Sequence, residues 1–149
     1  MASLSEQLGS GDKRNQVVED ALTVLDQEVA EKGGLTGLAI KGAYKVVQSV
    51  RPGFVKQVVD GLLDDFLSAL DPIYQEACEK RVASGAYLKA NSDRVADALL
   101  KVTDGKAGKT SSGGVRSAYE KLRPMAKKQV EAAAPRLASL LERHALPSA

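Results

Sequence analysis

Cysteine and histidine are nearly absent from this chain. Its 149 residues hold one Cys, one His, two Phe, four Tyr and no Trp. A single thiol excludes an intramolecular disulfide framework and a cysteine-rich zinc site. A single histidine, His144, excludes the paired Glu-x-x-His ligands of a di-iron bundle, so no metal and no cofactor are expected. Long apolar runs are missing too. The longest stretch free of charge is Gly33 to Ile40, eight residues, against about 20 for a membrane-spanning helix. Met1 to Leu8 has neither a basic nor an apolar leader pattern, so the expectation is a cytoplasmic protein without a transmembrane segment. Aromatics make up 4% and alternating β-branched runs are lacking, while hydrophobic residues make up 44% and charged residues 27%. That balance predicts an all-α protein. A chain of this length buries roughly two-thirds of its unfolded surface, enough for one core in one domain over 1–149.

Periodicity and punctuation divide the chain into five to seven helices of a compact globular bundle. A short turn over Ser3 to Leu8 precedes a first helix from about Asp12 to Lys32, closed by Gly33-Gly34. A second runs from an N-cap at Thr36 to Val50, where Arg51-Pro52 stops it. Its apolar and small residues cover most of its circumference, leaving Lys41, Lys45 and Gln48 as a polar strip, which predicts a central, buried helix. In the third, Gly53 to Leu70, apolar pairs from Phe54-Val55 to Phe66-Leu67 repeat every four residues. The stripe therefore drifts around the helix and must meet several neighbours. Asp71-Pro72 reads as a cap and first residue of a fourth helix that carries Cys78 inward. A fifth spans Ala86 to Thr103, with a second start available at Asn91-Ser92-Asp93. Residues 104–114 hold four glycines and no large apolar side chain, a flexible loop. From Val115 one helical phase persists to Leu141, kinked or broken at Pro124 and Pro135. Arg-Pro-x-x-x-Lys-Gln-Val occurs twice, at 51–58 and 123–130.

Catalytic patterns fail on inspection. Gly108-Lys109-Thr110 resembles the end of a phosphate-binding loop, but Thr103 stands where its first glycine belongs and a helix precedes it instead of a strand. Asp64 and Asp65 point about 100° apart on a helix, and Glu76 and Glu79 are ordinary surface neighbours. Cys78 lies on an inward stripe without a base, and His144, in the last helical turn, is placed to meet terminal carbonyls. The expectation is therefore not an enzyme.

The net charge of +2 hides a gradient: residues 1–51 sum to −1, 52–105 to −3 and 106–149 to +6. Lys106, Lys109, Arg116, Lys121, Arg123, Lys127 and Lys128 form the candidate binding face, suited to an anionic surface or an acidic protein face. With Tyr119 as its one aromatic, sequence-specific nucleic-acid recognition is not expected. Gly37, Gly42, Tyr44, Phe54 and Phe66 are the residues of an alternative, a groove or cavity for a small apolar ligand.

Gly37-Leu38-Ala39-Ile40-Lys41-Gly42-Ala43-Tyr44-Lys45-Val46-Val47, then Arg51-Pro52-Gly53-Phe54-Val55, and again Tyr119-Glu120-Lys121-Leu122-Arg123-Pro124, resemble a family of short bacterial proteins of unassigned function. The resemblance covers most of the chain and implies a small cytoplasmic helical protein with no activity to carry over. The functional expectation is a non-catalytic interaction protein, self-associating or partner-binding. Its acidic middle would meet its basic end within or between subunits. The carrier and the anionic-surface binder are the alternatives.

Overall fold

The computed structural model describes residues 2–147, and all seven elements among them are helices: α1 (Leu4–Leu8), α2 (Gly11–Glu31), α3 (Gly34–Gln48), α4 (Phe54–Lys80), α5 (Ser84–Ala90), α6 (Ser92–Ala107) and α7 (Gly113–His144). The two longest, α4 and α7, form the frame against which the shorter helices pack.

The N-terminal segment is a core helix instead of a turn. Leu4 and Leu8, one turn apart on α1, are both fully buried. Ser3 caps the helix by accepting from the Glu6 N–H at 3.1 Å, and the Leu4 N–H donates to Asp71 Oδ1 at 2.9 Å. Gln7 then ties both ends of the chain together. Its amide donates to the buried Tyr74 hydroxyl (3.2 Å) and accepts from the Leu146 N–H (2.7 Å), while the Tyr74 hydroxyl donates to the Leu146 carbonyl (2.9 Å).

Asp71-Pro72 does not start a new helix, since α4 runs through it for 27 residues. Asp71 spends its carboxylate on α1 and on the Gln75 amide (3.2 Å). Pro72 and Ser68 are both exposed, so the hydrogen bond that proline removes is lost where water can replace it. The break expected at Pro124 and Pro135 does not occur either, and the same logic keeps α7 one continuous helix. Pro124 and Pro135, eleven residues and so about three turns apart, both face outward, while Ala118, Ala134, Ala138 and Leu141 are buried. The fifth helix does restart, as α5 and α6, at Asn91, whose side-chain amide donates to the Tyr87 carbonyl at 2.9 Å. The expected loop over 104–114 contracts to residues 108–112, because α6 continues to Ala107 and α7 begins at Gly113.

The largest departure is α3. It lies at the edge of the bundle, with only Gly37, Ile40 and Ala43 buried, while Leu35 and Leu38 are 87% and 69% exposed. Small inward residues let it sit close to its neighbours without being surrounded. A Cβ on Gly37 would stand 2.6 Å from the Lys32 backbone, whereas one on Gly42 meets open space. Gly37→Ala is accordingly expected to destabilise the protein by about 1–3 kcal/mol through overpacking. Gly42→Ala should stabilise it by about 0.5–1 kcal/mol through helix propensity. Chemical denaturation of the two variants checks both signs.

Candidate interaction surface

The acidic middle and the basic end of the chain meet within it. Arg123 on α7 grips Asp104 on α6 with two hydrogen bonds (2.8 and 3.1 Å), and the Tyr119 hydroxyl donates to the same carboxylate. Lys127 pairs with Asp97 at 3.0 Å. The Arg116 guanidinium donates to the Thr110 carbonyl at 2.6 Å and so closes the link between α6 and α7. The hydrogen bonds from Arg123 and then Tyr119 hold the Asp104 carboxyl below its ordinary value. Of the seven basic residues singled out from the sequence, only Lys106, Lys109, Lys121 and Lys128 are left without a described ion-pair or hydrogen-bonding partner for their ammonium groups, and they lie on the α6 end, the link and the first half of α7.

Similar clasps join other helices. Glu28 and Glu31 on α2 take Arg136 at 2.8 and 2.6 Å, and Glu28 also takes Lys32 at 3.0 Å. Arg14 spans Asp60 and Asp64 (3.0 and 2.7 Å). His144 Nε2 stands 2.7 Å from Asp20 Oδ2, so this histidine joins α7 to α2 through a carboxylate, where terminal carbonyls were expected. Burial opposes ionisation of Asp20, but the hydrogen bonds from His144 and Arg143 outweigh it and hold its carboxyl low. Glu76 receives both ends of the Arg94 fork (2.9 and 2.6 Å) and the Tyr87 hydroxyl (2.8 Å). Arg94 first, then Tyr87, lower its carboxyl to about 2. A carboxylate so depressed adds stability that is complete above its unfolded value and is lost as pH falls from about 4.5 through about 2. Glu76→Gln should therefore lower the urea midpoint at neutral pH, and the deficit relative to the parent should shrink as the solution is acidified. A deficit independent of pH contradicts this assignment.

None of the five residues of the apolar-ligand alternative lines either of the two hollows described below. Gly37 is buried against the Lys32 backbone, and Gly42 faces outward. Tyr44 is half-buried and donates to Asp26, and burial and that carboxylate together push its phenol well up. Phe54 sits under the Arg51 guanidinium, 4.8 Å from the ring centre, and Phe66 is half-buried. Two of the hollows among the described residues measure about 490 and 330 Å³. Both are open, lined largely by polar side chains of α2 with His144 or with the start of α4, and neither is an enclosed apolar chamber. Among the described residues no three His, Cys, Asp or Glu side chains are grouped to hold a metal ion. None of the helices described is long and apolar enough to cross a membrane.

What the structure presents instead is the outer face of α3. Leu35, Ala39, Gly42 and Val46 recur at steps of four, three and four, which places them on one side of a helix turning about 100° per residue. Leu38 lies beside them, and Lys45 and Lys41 follow on that flank. Val46 is 44% exposed, so with Leu35 and Leu38 three large apolar side chains of α3 face solvent on this side, and Val50, just past the helix end, is 38% exposed. A Cβ on Gly114 would stand 3.8 Å from Val46, so the first turn of α7, which carries Arg116, abuts this stripe. The sequence holds a signal for this surface: no Asp or Glu occurs between Glu31 and Asp60, a span that contains Lys32, Lys41, Lys45, Arg51 and Lys56. Lys32 and Lys56 are paired with Glu28 and Glu19, whereas Lys41 and Lys45 have no ion-pair partner among the described residues.

No curated protein and no solved structure matches the chain significantly. Residues 4–145, from the first core leucine to the end of α7, match the model of a Family of unknown function (DUF6918), and the chain belongs to that family.

Proposed function

We propose that this protein is a non-catalytic binding module that docks through the outer face of α3. The observation that carries the reading is the exposure of Leu35 and Leu38, 87% and 69%, in a chain whose other large leucines are mostly core. Leaving two leucines in water on one helix forgoes burial worth about 1.5–3 kcal/mol each, a cost that a covering surface removes. The ion pairs between α6 and α7 favour this surface over the C-terminal one, because Arg123 and Lys127 are occupied within the chain. Lys106, Lys109, Lys121 and Lys128 remain unpaired among the described residues, on α6, the link and α7.

The test uses the native protein in gently lysed cells of its source. The parent should migrate well above its 15.7 kDa monomer or travel with a particulate fraction. A Leu35→Glu/Leu38→Glu variant should run as the free monomer. A parent that already runs as a free monomer contradicts the reading.

A further inference from the structure

We propose that the surface covering α3 is the face of an anionic lipid bilayer. This rests on the docking reading above and adds the identity of the occupant.

The outer face of α3 combines two properties that such a surface requires. First, its large apolar side chains lie along the helix instead of around it. Leu35, Leu38 and Val46 span most of the 15 residues of α3, about 17 Å from Leu35 to Val46 at 1.5 Å per residue. A helix laid flat in an interface sinks its apolar side about 5–10 Å, to the boundary between headgroups and acyl chains. Ala39 and Gly42 between the larger residues keep the middle of that face low, so the helix axis itself can approach the interface.

Second, the helix that bears the stripe carries charge of one sign. Lys41 and Lys45 border it on one flank, exposed and without an acidic partner. The acids in the second half of α2 are engaged: Glu28 by Arg136 and Lys32, Glu31 by Arg136, and Asp26 by the Tyr44 hydroxyl. At the other end of the stripe, Val46 abuts the α7 turn bearing Arg116, next to the link that carries Lys109. Long lysine stems can lie along the apolar surface while their ammonium groups reach phosphates above it.

A second copy of the chain fits this face poorly. A two-fold axis that pairs α3 antiparallel with its equivalent maps each flank onto itself. Lys41 and Lys45 of both copies would then stand together, four like charges with no acid to separate them.

The experiment is sedimentation of the purified full chain with vesicles of phosphatidylcholine alone or of equal parts phosphatidylcholine and phosphatidylglycerol. The parent should pellet with the anionic vesicles, stay in solution with the neutral ones, and be released as salt is raised toward about 1 M, where the screening length falls to about 3 Å. Lys41→Gln/Lys45→Gln should weaken partitioning about 25-fold, about fivefold for each lysine held near an anionic surface. Leu35→Glu/Leu38→Glu should reduce it to background, with an unchanged helical circular-dichroism spectrum showing that the fold survives. A parent that stays in solution with anionic vesicles, or binds both lipids equally, overturns the proposal. So does a leucine variant that binds like the parent. If the parent fails to bind lipid yet migrates above monomer mass in the lysate, α3 is covered by protein, and the docking reading stands while the lipid assignment falls. If it does neither, both fall.

Discussion

Truncation of Leu8 to alanine is expected to lower the free energy of unfolding by about 2–5 kcal/mol, against a total of about 5–15 kcal/mol for a domain of this kind. The side chain is fully buried in the apolar cluster that also holds Leu4, Val17, Leu67 and Tyr74, so its removal leaves a cavity that neighbouring helices cannot fill without moving. The effect should exceed that of a typical terminal substitution, because α1 is fastened at three points: to Asp71 through the Leu4 N–H, to Tyr74 through Gln7, and to Leu146 through Gln7 again. Urea denaturation measures it. A loss below about 1 kcal/mol, the size of an ordinary surface change or a single cap, would contradict the core role of α1.

The second large effect is on binding with folding left intact. Leu35→Glu/Leu38→Glu alters two of the most exposed leucines in the structure, so the unfolding free energy should change by no more than about 0.5 kcal/mol per site. Docking should be abolished, since two carboxylates would then enter an apolar contact, where an unpaired charge costs several kcal/mol. Measuring thermal stability and migration in the lysate on the same preparation separates the two. A variant that unfolds at low temperature would mean that Leu35 and Leu38 are structural, which would contradict the reading of α3 as a docking face.

Local rules read from the sequence hold wherever burial on one side settles the outcome. The drifting stripe from Phe54 to Leu70 does pack inward, with Leu62, Leu63 and Leu67 buried. The restart at Asn91 was legible for the same reason, whereas the break expected at Pro124 and Pro135 does not occur, because both prolines lie on the exposed side of α7. What misled was punctuation taken without context. Arg-Pro-x-x-x-Lys-Gln-Val opens α4 at 51–58 but lies inside α7 at 123–130. The difference is the residue after proline: Gly53 takes φ of +74°, which ends the preceding turn, whereas Met125 continues the helix. Asp71-Pro72 looks like a cap until the partner of Asp71, an N–H 67 positions away in sequence, is known. Helix α3 was misread for a deeper reason. An apolar pattern all round a helix says that both sides avoid water, but it does not say whether the second side is covered by the same chain. In the candidate site, the basic C-terminal residues were visible as charge, yet their pairing with Asp97 and Asp104 depends on how α6 and α7 pack. The gap in acidic residues from 32 to 59 was the legible sign of the α3 surface, and averaging charge over longer segments concealed it.

The central claim is that the outer face of α3 is covered in the cell, and the most direct measurement is the maleimide labelling rate of a Leu38→Cys/Cys78→Ser protein. In dilute purified form this cysteine should react as fast as one placed at the exposed Lys101 in the same background. In intact source cells, labelling at position 38 should slow at least tenfold relative to position 101, the result the account predicts. Equal rates at the two positions in cells would show that α3 faces water there, and would contradict it.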